Sequence, residues 1–139
     1  MNRLALCLSL FLCLTPFTKA QDSSADASAV RSTVTNYIEG YYAGDAQRME
    51  KALHPHYLKH VIHHNASMSE MTGAELVAGI RKNGPADLSA EQKTEQVIVL
   101  DIAGDIASAK LVTPGWQDYM TLSKVNGQWK ILSVVQRID

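Results

Sequence analysis

Residues 116–131 read Trp116-Gln117-Asp118-Tyr119-Met120-Thr121-Leu122-Ser123-Lys124-Val125-Asn126-Gly127-Gln128-Trp129-Lys130-Ile131, and Leu132-Ser133-Val134-Val135-Gln136-Arg137-Ile138 follows. Asn126-Gly127 separates two β-prone runs. A two-residue type I′ turn needs positive φ at both central positions, and Asn-Gly tolerates that best. The stretch is therefore expected to be a hairpin. Its register would set Lys124 opposite Trp129, Leu122 opposite Ile131, Met120 opposite Ser133, Asp118 opposite Val135 and Trp116 opposite Arg137. Paired residues share a face. One face would then carry Trp116, Asp118, Met120, Leu122, Trp129, Ile131, Ser133, Val135 and Arg137. The other would carry Tyr119, Thr121, Leu132, Val134 and Ile138.

Two further Val- and Ile-rich runs precede this hairpin, Glu95 to Ile102 and Ile106 to Thr113, with Ala103-Gly104-Asp105 as the turn between them. The first half of the chain has a different period. Val30, Val34, Tyr37, Ile38 and Tyr41 recur at intervals of three and four, which marks one helix face, with Ser28 as a candidate N-cap. A short second helix is expected from the Asp45 cap through Met49 to Leu53, stopping before Pro55. Thr72-Gly73-Ala74-Glu75 has the form of a capping box for a third helix that Asn83-Gly84-Pro85 ends. Three helices followed by an antiparallel meander form an α+β pattern.

The N-terminus is read as a signal peptide over residues 1–20. Arg3 supplies the charge, Leu4 to Leu14 an apolar run, and Thr18-Lys19-Ala20 the small residues before the cut. The run of about eleven residues is shorter than the roughly twenty a membrane span needs. An exported protein, periplasmic or extracellular, is expected, with no membrane anchor after cleavage. Residues 21–28 are expected to be a flexible leader and 29–139 the single domain. The 139-residue chain has 13 Lys+Arg and 14 Asp+Glu, and cleavage leaves 11 basic against 14 acidic side chains. Such a balance lacks the basic footprint of a nucleic-acid binder. Both cysteines, Cys7 and Cys13, leave with the signal, which excludes disulfide scaffolds and thiol chemistry.

The order of elements, the run Val34-Thr35-Asn36-Tyr37-Ile38-Glu39-Gly40-Tyr41-Tyr42-Ala43-Gly44-Asp45, the Ala52-Leu53-His54-Pro55 step and the segment from Asp118 to Ile131 resemble the putative lumazine-binding family. That family belongs to the nuclear-transport-factor-2-like superfamily, which also holds ketosteroid isomerases, scytalone dehydratase and polyketide cyclases. The resemblance implies a cone: a curved antiparallel sheet wrapped over three N-terminal helices, with a pocket inside and, in many members, a dimer. It does not fix an activity, because one fold hosts many.

The candidate site follows from the hairpin face. Trp116, Met120 and Trp129, with Asp118 and Arg137 as polar groups and Tyr37 and Tyr41 from the first helix, would form an apolar pocket for a small apolar or aromatic molecule. Two roles are open for Asp118: a general base of raised pKa, as in a cofactor-free isomerase, dehydratase or cyclase, or a structural ion pair with Arg137. The resemblance carries no catalytic role over to Asp118, because the catalytic acid of those relatives has no residue-by-residue match there. The opposite, outer sheet face is expected to meet a second copy in a homodimer. His54, His56, His60, His63 and His64 fall within eleven residues, and on a helix His56, His60 and His64 would align as weak candidates for a metal or protein contact. Phosphate loops, nucleophile elbows and zincin motifs do not occur in the sequence, so no cofactor is expected.

Overall fold

Val30, Val34 and Ile38 form a fully buried stripe along α1 (Thr18–Ala43). The computed structural model describes residues 18–138. After α1 come α2 (Ala46–Ala52), β1 (Leu53–His63), β2 (Ser69–Thr72), α3 (Gly73–Asn83), β3 (Gln96–Ala103), β4 (Ile106–Val112), β5 (Trp116–Val125) and β6 (Gln128–Ile138). The local signals act where they stand. The Asp45 side chain accepts from the Arg48 N–H at 2.9 Å to cap α2. Thr72 and Glu75 close the capping box of α3. Asn126 and Gly127 both take positive φ, 51° and 76°, in the last hairpin.

The α+β class and the curved sheet over helices are as expected, but the sheet is mixed and has six strands in the order β2-β1-β6-β5-β4-β3. Two strands, β1 and β2, lie between α2 and α3, so the helices do not all precede the sheet. β1 runs parallel to β6, with Lys59 beside Val134 and Val61 beside Gln136. The histidine-rich segment is this strand. A strand buried on one side by helices needs only alternate apolar residues, and Tyr57 and Val61 supply them.

The last hairpin departs from its expected register after Ile131. Leu122 lies opposite Ile131, but Thr121 then meets Ser133, Met120 meets Val134 and Asp118 meets Gln136. Leu132 is the extra residue of a β-bulge, and one extra residue exchanges the faces of everything beyond it. Val134 and Gln136 are thereby buried, and Val135 and Arg137 are turned outward. A second bulge at Leu100 interrupts the β3–β4 pairing. Both bends curve the sheet around Val30, Val34, Ile38, Met49, Leu111, Leu122, Ile131 and Val134.

The signal peptide expected at 1–20 lies almost wholly outside the described residues. Residues 21–28, expected to be a flexible leader, are helical, because α1 begins before them. Asp26 docks this turn: it meets the Lys124 ammonium at 2.8 Å and accepts from the Trp129 indole N–H at 2.9 Å. These partners are about a hundred residues away, so the small polar composition of the segment gave no sign of them. Among the described residues no helix is long and apolar enough to cross a membrane.

Gly44 ends α1 with φ +67°, and a Cβ there would lie 2.3 Å from the Gly84 carbonyl carbon. Gly44→Ala is expected to cost about 2 kcal/mol or more. Gly79→Ala, in α3 with nothing within 4 Å of the added atom, should stabilise by about 0.5–1 kcal/mol. Urea midpoints of the two variants check the pair. Lys124 and Trp129 hold the Asp26 carboxyl below its ordinary value of 3.8. A carboxyl lower in the folded than in the unfolded state stabilises above the unfolded value and loses that contribution as the pH falls through the folded one. Asp26→Asn should therefore lower Tm at neutral pH, with the deficit fading below pH 3.8.

Candidate functional site

Strand register sets the inner side chains of β1, β6 and β5 in two adjacent rows. Lys59, Val134 and Met120 make one; Val61, Gln136 and Asp118 make the next. Above them α1 brings Tyr37 and Tyr41, one turn apart. A cavity of about 240 Å³ lies between this end of the sheet and the helices. Tyr37, Ile38 and Tyr41 line it from α1, Met49 from α2 and Leu76 from α3. The strands contribute Lys59, Val61, Met71, Trp116, Gln136 and Ile138. Tyr41 is partly exposed and meets the Trp116 ring edge-on, centroids 5.9 Å apart at 90°. The wall is thus apolar, with an ammonium, two phenols and a primary amide as its polar groups.

Lys59 is 8% exposed. Its Nζ donates to the Tyr37 hydroxyl oxygen at 3.1 Å, and that hydroxyl is 3.4 Å from the hydroxyl of Tyr57. Asp118 is completely buried, and neither carboxylate oxygen has a hydrogen-bond partner among the described residues. Gln136, its neighbour in the register, lies close enough to favour the carboxylate without meeting hydrogen-bond geometry. Burial raises the Asp118 carboxyl above its ordinary value, against the opposing pull of Lys59 and Gln136. Burial lowers the Lys59 ammonium, and Asp118 opposes that shift. Burial is likewise the first cause that pushes both Tyr37 and Tyr57 upward. Each group is thereby biased toward its neutral form.

Tyr37, Tyr41 and Trp116 lie on the cavity wall. Asp118 and Met120 are in the core beside it, not on its surface. Trp129 is elsewhere: its indole is fixed by Asp26 and stacked under Lys124, whose Nζ is 5.1 Å from the ring centroid. Arg137 is on the outer face, near Ile62 and His64. The Asp118–Arg137 pair therefore does not form, because the bulge at Leu132 turns the two side chains to opposite sides of the sheet. Gln136 takes the inner place. The three-histidine array fails for a similar reason, since β1 is a strand and His64 falls in the turn after it. His60 instead faces Glu70 across the β1–β2 pair at 3.1 Å. His54 Nδ1 accepts from the His56 backbone N–H. Among the described residues no group of three or more His, Cys, Asp or Glu side chains is placed to hold a metal ion.

Lys59, Gln136 and Tyr57 were not singled out from the sequence. The alternation Tyr57-Leu58-Lys59-His60-Val61 would place Lys59 on the buried face once the segment is read as a strand. Gln136 depends on the bulge, which no local residue signals.

The sequence model of the family described as putative lumazine-binding matches residues 25–136. The chain belongs to that family. No curated protein matches it. Among solved structures, this member of the putative lumazine-binding family is similar to a nuclear-transport-factor-2-like protein of unknown function from Silicibacter pomeroyi. The TM-score is 0.70 at 18% identity, covering 84% of this chain and 98% of the other. It is also similar to a ketosteroid isomerase-like protein from Erwinia carotovora (TM-score 0.57, 10% identity, covering 80% and 94%). A putative dehydratase of the same fold family from Streptomyces avermitilis gives a TM-score of 0.55 at 13% identity, covering 84% and 98%. At these identities the likeness is one of fold.

Because the Asp118 carboxylate raises the Lys59 ammonium, Asp118→Asn should lower the pH at which Lys59 loses its proton. Titration of the Lys59 Cε resonance in both proteins checks the direction. An unchanged midpoint would show that Asp118 carries no charge next to it.

Proposed function

We propose that the protein is an exported small-molecule-binding protein whose ligand occupies the cavity between α1 and the β1–β6–β5 end of the sheet. The observation that carries this reading is the cavity's composition. An apolar wall of Ile38, Met49, Val61, Leu76 and Trp116 surrounds a few converging polar groups, Lys59, Tyr37 and Gln136, which is the usual make-up of a site that orients a flat apolar or aromatic molecule. Lys59 and the Tyr37 hydroxyl call for a hydrogen-bond acceptor on that ligand. The family's name, which refers to a heteroaromatic bicycle rich in carbonyl acceptors, supports the same class.

A second reading, a cofactor-free isomerase, dehydratase or cyclase, draws on the buried Asp118 carboxyl that lacks a hydrogen bond. The cavity wall in front of Asp118 is Lys59 and Gln136, so a proton would pass between ligand and carboxyl through them. The apolar outer residues Ile62, Val135 and Tyr119 lie on neighbouring strands and are exposed by 45%, 42% and 52%. They support a homodimer through that face. Tyr119→Glu should convert a dimer to a single chain in light scattering, and a single-chain mass for the unaltered protein would remove the dimer.

Native mass spectrometry of the purified protein is expected to show a retained small aromatic or apolar compound. Lys59→Met should weaken its binding by about tenfold to a hundredfold, the loss of one buried hydrogen bond and of the partner for the ligand's acceptor. Arg137→Ser, on the outer face, should leave it unchanged. Equal loss in both variants would remove the cavity as the binding site. Cleavage after Ala20, read from the mass of the exported chain, checks the export reading.

A further inference from the structure

Lys59 combines three properties that no other lysine in the described structure has together. It is buried, it lines the cavity, and among the described residues no carboxylate lies within ion-pairing distance of its Nζ. The single hydrogen bond it makes is to a neutral phenol, Tyr37. The nearest acid behind the wall, Asp118, is itself without a hydrogen bond. A fixed ammonium–carboxylate pair would satisfy both groups by direct contact, and the fold does not make one. Burying an ammonium without a directly paired carboxylate is costly, and burial favours the neutral amine at Lys59. Lys124, by contrast, sits on Asp26 at the surface.

A neutral amine in an apolar cavity is a nucleophile toward carbonyl carbon. Resting on the reading of the cavity as the ligand site, we propose that Lys59 captures a small apolar or aromatic aldehyde or ketone there as a covalent imine. The Nζ lone pair adds to the carbonyl carbon, the carbonyl π pair moves to oxygen, and one proton passes from nitrogen to that oxygen to give a carbinolamine. The C–O bond then breaks as the oxygen takes a second proton and leaves as water, and the nitrogen lone pair forms the C=N bond of a protonated imine. Amine, carbonyl and one proton become iminium and water, and no oxidant or reductant enters. The Tyr37 hydroxyl, at 3.1 Å from Nζ and in line with Tyr57, is placed to pass protons in both steps. Asp118, behind the wall, is the buried carboxyl whose negative charge balances that of the iminium.

The test uses the intact protein, one equivalent of benzaldehyde and cyanoborohydride at neutral pH, read by intact mass and peptide mapping. The expected product is a single adduct of the aldehyde's mass less its oxygen, at Lys59, at least tenfold above that at Lys93 or Lys110. Lys59→Arg, which keeps a cation but cannot form an imine, should give no adduct while its circular dichroism and melting stay those of a folded protein. Tyr37→Phe should slow trapping without changing the site. Benzyl alcohol, which has the same ring but no carbonyl, separates the two ideas through the Trp116 indole resonance. If benzyl alcohol shifts that resonance and no adduct forms, or label spreads over surface lysines by exposure, the covalent proposal is overturned and the binding reading stands. If neither compound engages the cavity, both fall.

Discussion

Leu132 has no partner across the last hairpin, and which side chains of β6 face inward beyond it depends on that one extra residue. Up to Ile131 the strands pair as a two-residue turn requires. Past the bulge the alternation is inverted, so Val134 enters the core, Gln136 enters the cavity, and Val135 with Arg137 faces outward. Because β6 is also the strand on which β1 pairs, the inversion sets the parallel register that brings Lys59 level with Val134. Curvature and chemistry therefore share one cause. The same kink that bends the sheet into a wrap places an amide, in place of a guanidinium, next to Asp118.

That exchange defines the electrostatics of the interior. An arginine beside Asp118 would have fixed a carboxylate by a paired charge and closed the question of its protonation. With Gln136 there, the carboxyl has a weaker neighbour, and the nearest cation reaches toward it from two strands away. Lys59, Tyr37, Tyr57 and Asp118 form a set in which burial opposes every charge. The two phenols and the carboxyl therefore hold their protons more firmly than in water, and the ammonium holds its proton less firmly.

Much of the architecture was legible because its signals are local. The Asp45 cap, the Thr72–Glu75 box, the Gly84 stop and the Asn126-Gly127 turn each act within four residues, and all four appear where the sequence put them. What was not legible is long-range. The role of Asp26 depends on Lys124 and Trp129 about a hundred positions later. β1 carries five histidines in or beside it and a proline, which obscures a strand whose identity comes from pairing with β6. Tyr37, Tyr41 and Trp116 were found because aromatic residues at helical spacing or at a strand start point to a core-facing wall. Lys59 was missed because a lysine among histidines reads as a solvated loop until the pairing of its strand is known.

The order β2-β1-β6-β5-β4-β3 has a consequence for how the molecule is assembled. Within the sheet, β6 alone joins the β1–β2 pair to the β5–β4–β3 meander. Without β6 the two groups of strands share no pairing, and their edges at β1 and β5 have no neighbour in the sheet. Of the cavity's lining, Lys59 belongs to one group and Trp116 to the other. Closure thus requires the joining of segments separated by about seventy residues, the kind of non-local step that slows folding. The cavity is thus complete only where the two groups of strands meet through β6.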